Sequence, residues 1–221
     1  MRIALCGGTG DLGEGLALRW TRDTDHETLV GSRDPEKARE RAADYEATLD
    51  EHGVAASLDG FANGMATDRA DVVVLCVPAY HLVDTVESIA DRIDDTVLVS
   101  PAVGMGRDDA GLHYNPPSAG SVTALAAGAA PEGTSVVGAF HALAAGRLAD
   151  LGTELGWDVP VVGDDADAKS RVGELADGIE GLRALDAGGL GNAAEVESLT
   201  PLLINLAANG DDLHDLGVRF R

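Results

Sequence analysis

Gly8, Gly10 and Gly13 are the residues whose type and spacing say most about chemistry in this chain. They form a G-x-G-x-x-G pattern directly behind the apolar run Ile3-Ala4-Leu5-Cys6, and Leu12, Leu16, Ala17 and Leu18 follow at helical spacing. Between a buried strand and a helix, such glycines make a tight turn, let the backbone approach a pyrophosphate, and allow close helix–strand packing. The helix start adds free N–H groups and a partial positive charge. Dinucleotide binding is therefore expected, against the plainer reading of a simple turn.

The next chemical group lies where a second strand, Glu27 to Gly31, should end. A site for NAD usually carries Asp or Glu there to hold the ribose hydroxyls. This chain has Ser32, Arg33 and Lys37 instead, with Asp34 able to cap the following helix and Pro35 at its first position. Arg presents a planar fork to phosphate oxygens and Lys a point charge. Together they make a cradle for the 2′-phosphate of NADP, the alternative being ordinary charge at a helix start.

The remaining elements position these groups. Asp71 to Val77 is an uninterrupted apolar run closed by Pro78, as for a strand buried on both faces. Ligands sit outside the carboxyl ends of such strands, so Val77, Pro78, Ala79 and Val83 are expected to border the cofactor, with His81 either touching it as well or, the favoured reading, standing as a solvated helix residue. Further strands are expected at Thr96–Ser100, Ser135–Ala139, Val159–Val162 and Leu182–Asp186. Ser118 is expected to cap an Ala-rich helix, and Thr200-Pro201 to open a C-terminal one. The segment 104–117 reads as irregular, a lid or a long connection. The fold class is α/β: a doubly wound parallel sheet of the Rossmann NAD(P)-binding type with a small C-terminal α/β extension. A domain boundary, if any, is expected near residues 144–151, dividing 1–147 from 148–221.

Composition bounds the partners. The 221 residues carry 16 basic and 38 acidic side chains, a net charge of −22, and only two lysines, Lys37 and Lys169. Acidic residues are spread along the whole chain, which argues against nucleic acid or an anionic membrane as partner. A dense carboxylate surface suits concentrated salt, where the screening length falls to about 3 Å, so a halophilic cytoplasm is inferred. Cys6 and Cys76 sit in apolar runs with no metal-like spacing and read as packing in a reducing compartment. The N-terminal run reads as a strand rather than a signal peptide. No Ser–His–Asp, zinc or Walker pattern occurs.

The stretches GGTGDLGEGLALR, VGSRDPEKA, VLCVPAYH, VVGAFHALAAGR, WDVPVVGDD and GLRALDAGGLGNAAEVESLTPLLINL resemble the NADPH-dependent coenzyme F420 reductase family over nearly the whole chain. That resemblance implies hydride exchange between NADP and the deazaflavin coenzyme F420, with an NADP-binding domain over 1–147 and a small C-terminal domain over 148–221 contributing to the deazaflavin site and to dimer contacts, usually in a homodimer. It carries NADP contacts onto Thr9, Gly10, Asp11, Leu12, Ser32, Arg33 and Lys37, and the nicotinamide end onto Ala79, Val83, Val103 and Ala145. It puts His141 on the deazaflavin side, where a histidine just past a strand end could donate to the reduced ring as negative charge develops. Ring-to-ring hydride transfer asks for stacking and orientation, which small residues such as Ala79, Ala102, Gly104, Ala142 and Ala145 permit. Two other readings stand beside it: an NADP-dependent reductase of a small carbonyl or imine, with His141 or Tyr80 as proton donor, and an NADP-binding redox sensor without turnover.

Overall fold

The computed structural model describes residues 1–221. In chain order the elements are β1 (Arg2–Cys6), α1 (Asp11–Asp23), β2 (Glu27–Ser32), α2 (Pro35–Glu51), β3 (Asp59–Ala62), α3 (Asn63–Thr67), β4 (Val72–Leu75), α4 (Leu82–Ile89) and β5 (Val97–Ser100). Then come β6 (Met105–Asp108), β7 (Gly111–Tyr114), α5 (Val122–Ala129), β8 (Val136–Gly138), α6 (Ala145–Ala149), β9 (Trp157–Gly163), α7 (Ala166–Asp177), β10 (Leu182–Asp186), α8 (Ala193–Glu197) and α9 (Leu199–Asn209).

One sheet of eight strands, in the order β10-β9-β8-β5-β4-β1-β2-β3, runs through the molecule. All neighbours are parallel except β8 and β9. The strands at its centre are continuous apolar runs because helices cover both faces: Ile3 to Cys6 and Val72 to Leu75 are fully buried. Ile3, Leu5, Val72 and Val74 pack on one face with Trp20, while Ala4, Cys6, Val73 and Leu75 pack on the other with Leu82 and Val86. The period-two alternation of a strand is thus read by two separate cores. The order of strands reverses direction at β1, which pairs with β2 on one side and β4 on the other. A crevice for ligand opens outside the carboxyl ends at such a point.

The segment 148–221 adds β9 and β10 to the same sheet, and Val159, Val172 and Leu175 belong to the core that holds Ile3 and Leu16. The position 147/148 falls within α6, which packs along α1. Arg19 of α1 is buried there, and its guanidinium donates to the backbone carbonyls of Arg147, Leu148, Asp150 and Thr153 at 2.6–3.2 Å. The charge is dispersed over carbonyl dipoles rather than paired, which fixes the chain between β8 and β9 against the first helix.

Two local readings are corrected, and one strand had gone unread. The segment 104–117 contains an antiparallel hairpin, β6 with β7, turned by Asp109 and Ala110, with Asp108 accepting from the Ala110 N–H at 2.8 Å. The Asn205 side chain of α9 holds it by accepting from Leu112 N–H at 3.0 Å and donating to Leu112 C=O at 2.6 Å, so this connection is strapped to the C-terminal helix. The cap of α5 is Ser121, whose Oγ accepts from Ala124 N–H at 3.0 Å, and Ser118 lies in the preceding loop. Strand β3 had no signal in the sequence, because Asp59-Gly60-Phe61-Ala62 is short and not apolar-periodic. It forms as the sheet edge, where Gly60 brings the strand against the backbone of Ala38 and Arg39 in α2.

Candidate dinucleotide and redox site

Residue by residue, the glycine turn divides its work differently from the pattern alone. The positive φ of the turn belongs to Gly7 (φ +81°), where a Cβ would lie 2.6 Å from the Cys76 carbonyl oxygen. Only glycine lets β1 end this close to β4. At Gly13 a Cβ would lie 2.5 Å from Gly8 Cα, so this glycine seats α1 on the turn. At Gly10 a Cβ would meet nothing nearer than the Gly7 carbonyl at 3.7 Å. The absence of a side chain there leaves open space in front of the helix, which is the geometry of close ligand approach.

Gly10 is also the N-cap of α1. Helices α2, α5 and α7 start at Asp34, Ser121 and Asp165, whose side chains accept from their own first-turn N–H groups. No side chain caps α1, and the Thr9, Asp11, Leu12 and Gly13 N–H groups have no acceptor in the chain. Free donors at the positive end of a thirteen-residue helix make a site for an anion.

A cavity of about 310 Å³ lies beside them, lined by Gly7, Thr9 and Gly10, by Ser32, Arg33, Asp34 and Lys37, and by Val77 and Pro78. Arg33 and Lys37 are exposed and take part in no ion pair, although acidic residues far outnumber basic ones. Asp34 is occupied by helix capping, accepting from Glu36 N–H at 2.9 Å, and its own N–H donates to Ser32 Oγ at 3.1 Å. The two cations are thereby left free for an external anion. His81 lines the same cavity, with its ring against Tyr80 at a centroid distance of 4.5 Å.

Val77 and Pro78 are shared with a second cavity of about 570 Å³, walled by Ala79, Ala102, Val103, Gly104 and, from the hairpin side, Met105 and Asn115. Its lining is mostly apolar, as a flat ring needs. A third cavity of about 300 Å³ holds His141 and Ala145 with Leu203, Ile204 and Leu216 of the C-terminal segment. Gly8 and Gly13 are buried within the turn, Leu12 packs on the main core, and Asp11 is exposed at the helix start. Val83 is half-buried on α4 and lines none of these three cavities.

His141 follows Phe140, a left-handed residue (φ +66°) held edge-on against Trp20 at 5.7 Å. The ring is buried, and desolvation lowers its pKa to about 4, so it is neutral at pH 7. Its Nε2 lies 3.4 Å from Thr123 Oγ1, while Thr123 donates to Glu197 Oε1 at 2.9 Å. Thr123 then has only a lone pair for the imidazole, which places the proton on Nε2 and leaves Nδ1 buried without a partner. Glu197 also accepts from the Val122 and Thr123 N–H groups and from the Tyr114 hydroxyl, at 2.9–3.0 Å. This polar chain ties the hairpin, α5 and α8 to the strand end that carries His141.

Three residues near the glycine turn went unread in the sequence. Gly7 was hidden by the stronger spacing that starts one residue later. Tyr45 donates to the Gly8 carbonyl at 2.9 Å from within the core, and burial pushes its pKa up to about 12. Asn63 accepts from the Gly7 N–H at 3.3 Å. Neither side chain has a sequence signal, since both reach the turn from distant helices. No group of three or more His, Cys, Asp or Glu residues is arranged to hold a metal, and no helix is long and apolar enough to cross a membrane.

The family model described as NADP oxidoreductase, coenzyme F420-dependent, matches residues 2–104. The F420-dependent NADP reductase of Methanothermobacter thermautotrophicus is 39% identical over 93% of this chain and 89% of its own length. The chain belongs to the F420-dependent NADP reductase family. The Methanocaldococcus jannaschii member is 35% identical over 93% of the chain and 92% of its own length. At the level of fold, a crystal structure from Arthrobacter sp. superposes with a TM-score of 0.78 at 24% identity, covering 100% of both chains. Glycerol-3-phosphate dehydrogenase from Coxiella burnetii shares the fold at a TM-score of 0.61 and 14% identity, covering 84% of this chain and 53% of its own. Similarity to the archaeal reductases extends through the C-terminal segment, beyond the residues of the family model.

Proposed function

We propose that this protein transfers a hydride between NADP(H) and coenzyme F420. The observation that carries the reading is the pairing of an uncapped α1, opened by Gly10, with two unpaired cations, Arg33 and Lys37, at the end of β2. That pairing fits a pyrophosphate and a 2′-phosphate of the same molecule. Homology to F420-dependent NADP reductases along nearly the whole chain supports the second substrate.

The two coenzymes supply the redox chemistry, one ring giving and the other accepting the hydride. The chain's contribution is to bind, orient and exclude water. Gly10 and the free N–H groups of α1 take the pyrophosphate, and Ser32, Arg33 and Lys37 take the 2′-phosphate. Val77, Pro78, Ala79 and Val103 form an apolar wall for the nicotinamide, and Gly104 and Ala102 keep that wall thin. On this reading 1–147 is the NADP-binding part and 148–221 completes the deazaflavin side with His141 and Ala145. His141 then serves as a neutral wall of that side, because its N–H is turned toward Thr123. Holding two rings at near-attack distance accounts for several kcal/mol of barrier.

We extend the proposal to a homodimer, supported by the exposed Leu202, Ile204 and Leu206 on α9. The net charge of −22 supports a concentrated-salt cytoplasm as the working environment. Purified protein, NADPH and oxidised F420 in high salt should show loss of deazaflavin absorbance with matching NADPH oxidation. Unchanged absorbance would overturn the assignment; turnover on a carbonyl or imine panel instead would establish the small-substrate reductase, and NADPH binding without any turnover the sensor.

A further inference from the structure

Asn63 is 7% exposed, at the start of α3, and is fixed at both ends. Its main-chain carbonyl accepts from Thr67 Oγ1 at 2.9 Å, and its Oδ1 accepts from the Gly7 N–H at 3.3 Å. Because the backbone N–H can only donate, the amide orientation is settled: Oδ1 faces the turn and Nδ2 faces away from it. Gly31 makes the reach possible, since a Cβ there would lie 2.9 Å from Asn63 Oδ1. Nδ2 has no acceptor in the chain, yet it is not among the sealed, unpartnered buried atoms. The residue lines the cavity that also holds Ser32, Arg33 and Lys37.

A buried amide that spends its oxygen on the turn and keeps its NH₂ free at a ligand cavity is built for an acceptor on the ligand. Resting on the NADP reading above, we propose that Asn63 Nδ2 donates to the adenosine-ribose end of the cofactor, so that one carboxamide both braces the glycine turn and positions the ribose phosphate. Gly7, Gly31 and Asn63 then act as a unit, two glycines making room for one reaching side chain. The cations provide attraction and Asn63 provides direction.

The test uses 2′,5′-ADP, which carries only the adenosine end, measured by calorimetry on the ligand-free protein together with melting curves. Asn63→Asp keeps the acceptor for the Gly7 N–H and replaces the donor by an oxygen facing phosphate; Asn63→Ala removes brace and donor together. The expected result is a loss of 2′,5′-ADP affinity of about tenfold or more in Asn63→Asp, larger than in Asn63→Ala. In about 2 M KCl, where repulsion by the new carboxylate is screened, the Asn63→Asp loss persists if Nδ2 contacts the ligand; a purely structural side chain leaves Asn63→Asp at wild-type affinity there with Asn63→Ala alone weakened, and that result overturns the proposal. Unchanged affinity in either variant overturns it too. Wild-type protein that fails to bind 2′,5′-ADP would instead bring down the NADP reading itself, a distinguishable outcome.

Discussion

Alanine at Gly10 and alanine at Gly13 should separate binding from folding within one turn of the chain. A Cβ at Gly13 lies 2.5 Å from Gly8 Cα and 2.7 Å from the Gly8 carbonyl oxygen, against about 3.5–4.0 Å for relaxed carbon contacts. Both obstacles are backbone, so the helix or the turn must shift by roughly 1 Å, and overpacking of this kind costs about 1–3 kcal/mol. For a chain of this size that lowers the melting temperature by about 2–12 °C. Gly10 has φ −97° and ψ 172°, an extended conformation open to any residue, with nothing nearer than 3.7 Å to a new Cβ. Gly10→Ala should therefore melt close to the wild-type temperature, the loss of about 0.4–1 kcal/mol of backbone freedom from the unfolded chain being offset by the poorer helix N-cap that Ala makes. Its methyl group instead occupies the space in front of the uncapped helix. The same 1–3 kcal/mol of crowding then falls on the complex and weakens NADPH by about 5- to 150-fold. Differential scanning calorimetry of ligand-free protein, paired with NADPH titration followed by fluorescence, measures both quantities. Wild-type NADPH affinity in Gly10→Ala would refute the close-approach argument, and a wild-type melting temperature in Gly13→Ala would refute the packing argument.

Other expectations follow from the same geometry. Arg33→Ala should weaken NADPH by about 10- to 100-fold and NADH far less, since a charge-assisted contact to the 2′-phosphate is worth about 1.5–3 kcal/mol; equal losses for both cofactors would remove Arg33 from that role. His141 has its pKa depressed to about 4 in the folded state, so the unfolded chain binds the extra proton as pH falls through the ordinary histidine value. Stability is unaffected above that value and is lost between about pH 6.5 and pH 4, to the extent of about 2 kcal/mol by pH 5. Urea unfolding of His141→Gln at the two ends of that window should show a correspondingly shallower loss, and parallel curves would show that the ring is not buried neutral. The melting temperature should rise steeply from about 0.2 M to about 3 M KCl as carboxylate repulsion is screened; a flat response would contradict adaptation to concentrated salt.

How much of this was legible in the sequence follows from the range of each interaction. The strand, turn and helix at residues 2–23 were readable because all their determinants are local: apolar continuity for a doubly covered strand, glycine spacing for the turn, and periodicity for the helix. The capping of α2 by Asp34 and the cation pair behind it were readable for the same reason. Between Ser118 and Ser121 lies Gly120 at φ +93°, a conformation closed to a helix, so the cap falls on the second serine, and Glu197 reaching the first N–H groups of α5 holds it there. The hairpin at 105–114 was illegible because its anchor, Asn205, lies more than ninety residues away.

By itself, then, the sequence determined the doubly wound parallel core and the glycine turn between β1 and α1, since both are written in contiguous residues. Through its resemblance along the whole chain, it also determined the family. Only the tertiary structure decided that the tight-turn glycine is Gly7, that Asn63 and Tyr45 hold that turn from outside, and that His141 is neutral with its proton turned inward. These depend on which distant backbone groups become neighbours once the sheet closes. Buried polar atoms must find partners across the fold, and no local pattern specifies which ones they find.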